Sequence, residues 1–319
     1  MTTAFKKNCI AVTGLLLAVT TQAHSVDCDP APYCEQQMVN ANVWSELLYW
    51  RPELCGLEAA FGHTAIATTL DGSFIRTTVS ESDVGPTPQW DPGFRIGADF
   101  VFSCYDLEAD WTHFKGRAKF GQGAQHGEWK IRYDTIDLTF GRFFCVAPNF
   151  YFKPFVGVRG AIIDQTLESR LTTLFSTLNL IGSSTVLTNR EDKENAWGAG
   201  PEVGLEAGWY LGCDFTVYAS LDFVTYYGRV RGKNFDVDTF TSTESASNSN
   251  AEHYFNKFAT DGSLGIRWDK TVCWCCCELN FMLKLGLEQH RIYDFSNLGS
   301  DGALSLDGGN FAAGVGFCF

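Results

Sequence analysis

From residue 43 to its end the chain alternates apolar and polar residues in segments of about ten. A period of two marks β-strands, whose successive side chains point to opposite faces. The clearest segment is ELNFMLKLGLE at 278–288. There Leu279, Phe281, Leu283, Leu285 and Leu287 share one face, and Glu278, Asn280, Lys284, Gly286 and Glu288 share the other. Eleven tilted residues are the length that crosses the hydrocarbon core of a bilayer. The pattern predicts a transmembrane strand with a lipid face and a lumen face.

The same reading applies along the chain. In 93–103, Phe94, Ile96, Phe100 and Phe102 oppose Arg95 and Asp99. In 105–115, Tyr105, Leu107 and Trp111 oppose Asp106, Glu108 and Asp110, and around 132–143 Ile136, Leu138 and Phe140 oppose Asp137. In 151–163, Val156, Val158 and Ile162 oppose Lys153 and Arg159. In 197–210, Val203, Leu205 and Trp209 oppose Glu202 and Glu206, and in 215–227 Val217, Leu221 and Phe223 oppose Asp222. In 256–268, Leu264, Ile266 and Trp268 oppose Asp261 and Arg267. The final segment, NFAAGVGFCF, sets Phe311, Val315, Phe317 and Phe319 on one face. The run 43–61 supplies a first strand, bent at Pro52.

Connections alternate in length. Those at 104, 144–150, 211–214 and 269–277 are short, while 62–92, 164–196 and 230–255 are long and 116–128 and 289–306 intermediate. Short periplasmic turns and long external loops are the rule for outer-membrane barrels. The expected fold is all-β: an antiparallel transmembrane β-barrel of about 10 strands, with 12 as the alternative. A soluble β-sandwich would also alternate. Against it stand aromatic residues near strand ends, expected to form interfacial girdles, at Trp111, Trp129, Trp209, Trp268 and Phe311.

The N-terminus reads as an export signal over residues 1–23. Lys6 and Lys7 precede the apolar run CIAVTGLLLAVT, and TQA offers a small-residue cleavage site. That run is too short to span a membrane, and no later apolar stretch approaches 18 residues. Residues 24–42 are then a periplasmic segment and 43–319 the barrel. Loss of the signal deepens the formal charge from −13 to −15, a surface that repels nucleic acid. The expected compartment is the bacterial outer membrane, with membrane lipid as one partner. The terminal strand ending in Phe319 resembles the signal by which the barrel-assembly machinery takes up its substrates.

WSELLYWRP (44–52), WDPGFRIG (90–97), PFVGVRGA (154–161) and WGAGPEVGLE (197–206), in this order, resemble the Legionella-type pore-forming outer-membrane proteins. That family includes the major outer membrane protein-like porins of chlamydia-related bacteria. The resemblance runs from about residue 43 to Phe319. It implies a barrel pore and supplies no catalytic residues.

Candidate chemistry is sparse. The six histidines are His24, His63, His113, His126, His253 and His290, and none forms a metalloprotease motif. His113 beside Thr112 is the nearest approach to a nucleophile pair. No enzyme activity and no cofactor are expected. The lumen faces say more. Arg95, Asp99, Glu108, Asp110, Asp137, Lys153, Arg159, Glu202, Glu206, Asp222, Arg267, Glu278, Lys284 and Glu288 are the expected pore-lining residues. Their acidic excess predicts mild cation preference. Ten strands stand near the size at which side chains fill a barrel, so the expected pore is narrow.

Cysteine is the remaining signal. Cys28, Cys34, Cys104, Cys145, Cys213, Cys273, Cys275, Cys276, Cys277 and Cys318 all fall on the periplasmic side of the expected topology. Only Cys55 departs. An odd total of eleven cannot all pair within one mature chain. The CWCCC cluster lacks the spacing of a zinc site, and an oxidising compartment favours disulfides. No metal is expected, and the thiols are candidates for links to envelope proteins or to a second copy. The functional expectation is a porin passing small solutes and ions, with a disulfide-linked structural role. The alternative is a plugged barrel acting as a structural or adhesive surface protein.

Overall fold

The computed structural model describes residues 39–55, 65–68, 74–77, 87–122, 125–176, 183–240, 243–274, 277–296 and 302–318. The export signal, Cys28, Cys34, Cys275, Cys276 and Phe319 therefore lie outside the described residues.

Ten long strands form the wall. They are β1 (Val39–Leu54), β5 (Asp91–Phe102), β6 (Tyr105–Gln122), β7 (Gln125–Arg142), β9 (Phe150–Ser176), β10 (Ser183–Gly212), β11 (Phe215–Phe240), β12 (Thr243–Trp274), β13 (Cys277–Ser296) and β14 (Gly302–Cys318). Each pairs antiparallel with the next, and β14 pairs with β1, so the sheet closes. Two short strands join it: β4 (Thr87–Pro88) on β6, and β8 (Phe144–Ala147) on β9. A separate hairpin of β2 (Ala65–Thr68) and β3 (Phe74–Thr77) lies between β1 and β5 in sequence.

The register fixes the size of the barrel. A path of directly paired residues leaves Asn40, crosses Val101, Asp106, Gly141, Phe155, Gly204, Asp222, Asp261, His290 and Leu306, and returns to β1 at Pro52, twelve residues further on. Ten strands with that stagger tilt by about 40° and close at a backbone radius of about 10 Å. Side chains pointing inward from opposite walls therefore come close to meeting.

The expected faces hold. Leu47, Ile96, Ile136, Val158, Val203, Leu221, Ile266, Leu285 and Phe311 stand outward on a continuous apolar wall. On β13 this belt runs from Leu279 to Leu287, and nine residues tilted by about 40° rise about 23 Å, close to the apolar band of an outer-membrane barrel. Trp111, Trp209 and Phe311 are exposed on the outer wall, but Phe311 pairs with Leu285 and Leu47 within the apolar belt rather than at its edge. Trp129 is not on that wall. It is fully buried inside the barrel, where its Nε1 donates to Gln165 Oε1 at 3.0 Å. It shares parity with Tyr133 and Ile131, which face inward, so aromatic character alone assigned it to the wrong side.

Three further expectations change. The barrel starts at Val39, inside the segment expected to be periplasmic. The long outer connections are largely hairpins: β9 to β12 run for 26 to 32 residues each, far more than a bilayer requires. Pro52 stays within β1, still paired with Leu306 of β14, but pairing of β1 with β5 ends at Trp50. The missing N–H of Pro52 thus falls where β1 has lost one neighbour.

The opposite rim is tight. Ser103 has φ of 55°, and Cys213 and Asp214 have φ of 54° and 70°. Two successive positive φ values match the hairpin turns that follow the right-handed twist of their strands.

Candidate functional site: a charged cavity beneath an apolar collar

Inward positions divide along the barrel axis into two zones. Toward the external end they are apolar. Leu48, Trp50, Phe114, Trp129, Ile131, Tyr133, Ile163, Val224, Tyr226, Ile292, Leu304 and Leu306 form one buried cluster. Trp50 is its centre: its ring lies 5.3 Å from Phe114 and 6.5 Å from Tyr133. These side chains come from strands all round the barrel, so together they form a collar across the lumen.

Toward the periplasmic rim the interior is hollow, a cavity of about 600 Å³. All fourteen residues expected from the sequence to face the lumen line it. Among the described residues thirteen carboxylates line it, against six lysines and arginines and one histidine. They reach it because a tilted wall of period two sends every second residue inward.

Four cations organise these charges. Arg159 is the hub of the first group: it bonds Asp137 and Asp261, and stands 2.8 Å from Glu202 and 3.3 Å from Asp222. Those four carboxylates come from β7, β12, β10 and β11, so one guanidinium ties together partners far apart in sequence. Arg95 is the hub of the second, 2.5 Å from Glu46, 3.0 Å from Glu288 and 3.8 Å from Asp110, with its Nε donating to Thr112. Lys153 holds Asp106 at 2.6 Å and Glu206 at 3.3 Å, with Glu108 at 3.8 Å. Lys284 stands 3.5 Å from Glu46 and lies over the ring of Tyr218.

His290 joins the first two groups, 3.1 Å from Asp261 and 3.3 Å from Glu288. It also touches the collar: its ring lies 4.6 Å from that of Trp50. Asn310 donates to Glu46 at 2.6 Å and to Glu288. Glu46, His290 and Asn310 are not among the residues the sequence singles out. Parity would have found Glu46, which alternates with the outward Leu47 and Tyr49. His290 lies beyond the segment bounded at 288, and its role needs the β12 register.

The candidate nucleophile pair does not form. Thr112 faces the lumen and accepts from Arg95, whereas His113 faces outward, 2.5 Å from Asp134. Among the described residues no group of histidine, cysteine and carboxylate side chains is arranged to hold a metal ion.

The described cysteines fall mainly on one rim. Cys104 and Cys213 are exposed at periplasmic turns, and Cys145 lies in β8 beside them and is disulfide-bonded. By backbone pairing, Cys277 meets Trp274, Cys273 meets Glu278, and Glu278 meets Cys318, all at that rim. Cys55 stands at the other end, its N–H donating to Ala303. At the periplasmic rim Lys270 is held above its ordinary pKa range by its hydrogen bond to Asp214.

Comparison with known proteins gives one family match. The family model described as the Legionella pneumophila major outer membrane protein precursor matches residues 32–288. No curated protein matches the chain. Among solved structures, the outer membrane protease OmpT from Escherichia coli aligns at 12% identity and TM-score 0.37, over 88% of this chain and 97% of that one. Ail, the attachment invasion locus protein of Yersinia pestis, aligns at 8% identity and TM-score 0.27, over 88% and 98%. A Pseudomonas aeruginosa FadL homologue aligns at 8% identity and TM-score 0.30, over 91% and 92%. The barrel assignment rests on the strand pairing itself.

Replacing one buried partner of an ion network leaves the others uncompensated, at about 3–5 kcal/mol. Arg159→Gln should therefore lower the stability of the folded barrel by about that amount in urea titrations in detergent. A midpoint equal to that of the wild type would show that Arg159 does not hold its four carboxylates.

Proposed function

Because the chain belongs to the family of the Legionella pneumophila major outer membrane protein, an outer-membrane family, we propose that it is a porin-type channel, narrow, cation-preferring and closed at its external end by the apolar collar. The observation that carries this reading is the contrast between the two halves of the interior. A barrel needed only as a wall could be filled throughout as its external half is. Its periplasmic half instead keeps a cavity lined, among the described residues, by thirteen carboxylates and about half as many cations. Charges that are not matched in pairs need water and counter-ions, and a water-lined acidic passage favours cations. Apolar constrictions gate such passages by excluding water. The reading includes no catalytic step, and it takes the strand ending in Phe319 as the handle for the barrel-assembly machinery.

A second reading has its own support. Leu48, Trp50, Phe114 and Trp129 have no exposed surface at all, as expected of a permanently sealed surface barrel. Planar-bilayer recording separates the two. The channel reading expects rare, small, cation-selective steps from the wild type. It expects Trp50→Ala combined with Phe114→Ala to raise open probability severalfold. Flat traces from both proteins would remove the channel and leave the sealed barrel.

The thiols add a structural component to the proposal. Exposed Cys104 and Cys213 share the periplasmic rim with the backbone positions of Cys273, Cys277 and Cys318. A thiol cluster on one face can link neighbouring envelope proteins or a second copy in an oxidising compartment. Native membranes run on gels without reductant should then show high-mass bands that collapse to monomer on reduction. Identical monomer bands under both conditions would remove this role.

A further inference from the structure

We propose that the outward face of β6 and β7, just beyond the external edge of the apolar belt, binds a membrane lipid whose headgroup carries two phosphates. The inference needs the barrel and its place in the outer membrane; it does not need a conducting lumen.

Charge on this face runs against the rest of the chain. The sequence has 37 acidic residues against 24 lysines and arginines. Yet on β6 the outward positions Lys115, Arg117 and Lys119 pair directly with Arg132, Lys130 and Glu128 of β7, five cations to one carboxylate. The residues that alternate with them, Phe114, Ala118, Trp129 and Ile131, are buried in the collar, so the cations face away from the lumen. Like charges placed directly opposite each other destabilise a sheet. Two such pairs stand in succession here, Lys115 with Arg132 and Arg117 with Lys130. Carboxylates at the margins answer part of this charge. Arg132 lies 2.6 Å from Asp134 and 4.0 Å from Asp164, Lys130 lies 2.9 Å from Glu168 and 3.2 Å from Glu128, and Arg117 lies 3.8 Å from Asp91. These three side chains still keep 52%, 47% and 54% of their surface exposed, in that order. Lys115 and Lys119 have no ion-pair partner among the described residues.

Position identifies the ligand as a lipid. On β6 the apolar belt starts at Tyr105, the first residue of the strand. With a tilt of about 40° each residue rises about 2.6 Å along the axis, so Lys115 stands about 26 Å and Arg117 about 31 Å above Tyr105. The apolar band of such barrels is about 25 Å tall, and headgroups extend about 5–8 Å further on each side. Lys115 and Arg117, with their partners Arg132 and Lys130, therefore lie at headgroup height. Directly below, Trp111 and Ile136 are paired and exposed, and Phe94 meets Trp111 edge to face at 5.3 Å, a seat for acyl chains. Guanidinium and ammonium groups bond phosphate oxygens strongly, Arg often through two donors at once. The two cation pairs stand about 6.7 Å apart along the strands, room for two phosphates rather than one.

The test is native mass spectrometry of the refolded full chain in detergent, titrated with bisphosphorylated lipid A, its monophosphoryl form and phosphatidylcholine. Folding is checked by heat-modified gel mobility. Bisphosphorylated lipid A should bind at least tenfold more tightly than phosphatidylcholine and at least threefold more tightly than the monophosphoryl form. Lys115→Gln combined with Arg117→Gln should weaken it at least tenfold. The same loss of charge by Arg229→Gln with Arg231→Gln, on β11 where both cations share Glu252, should leave it within twofold. Should the first pair fail to fold, Lys115→Gln alone serves, with a loss of at least threefold. Equal affinity for the three lipids, unchanged affinity in the folded variant, or an equal loss in the β11 variant would each overturn the proposal. So would deacylated lipid A competing as well as the intact lipid, which would make the ligand a soluble phosphate. None of these outcomes depends on conductance, so failure here and failure of the channel reading are separate results.

Discussion

Antiparallel pairing of β1 with β14, from Asn40 opposite Cys318 to Leu54 opposite Leu304, closes the sheet on itself. In lipid this closure is obligatory, because an unpaired strand edge would leave backbone donors and acceptors with no water to satisfy them. The stagger at the seam then sets the strand tilt and the radius. At a radius of about 10 Å, inward side chains must either pack against one another or leave a small hollow. The molecule does both, at opposite ends.

The division has a physical logic. Collar residues such as Trp50 and Phe114 exclude water and pack across the lumen. Charged residues cannot do this unpaired, since burial of an isolated charge is costly. They occur where Arg159, Arg95 and Lys153 each reach several carboxylates, and where a cavity admits water. Trp50 belongs to both zones. It packs in the collar, meets the His290 ring at a tilt and has its ring centroid 5.8 Å from the guanidinium carbon of Arg95. A shift of charge in the network would thus be felt first at the centre of the seal.

Strand positions and faces were legible because period-two alternation is a local property of the chain. Leu285 and Lys284 could be set on opposite faces without knowing any neighbour. Strand number was legible for the same reason. The extent of the outer hairpins was not, because their polar residues, such as Arg231 and Glu252, stabilise one another only once paired across strands. Trp129 misled because an aromatic near a strand end suits both a girdle and a filled lumen, and only parity separates them. The cavity residues were legible as a set, but the grouping around Arg159 was not. Asp137 and Asp261 are far apart in sequence and meet only through the register of the closed sheet.

The central claim is that the lumen is water-filled below the collar and sealed at it. Thiol accessibility in vesicles tests this directly, using a background in which the native cysteines are serines. One variant carries Ser220→Cys, in the cavity lining, and the other Ala161→Cys, buried in the collar. A membrane-impermeant cationic thiosulfonate applied from the periplasmic side should modify the first rapidly and leave the second untouched. Equal rates at the two positions would contradict the account.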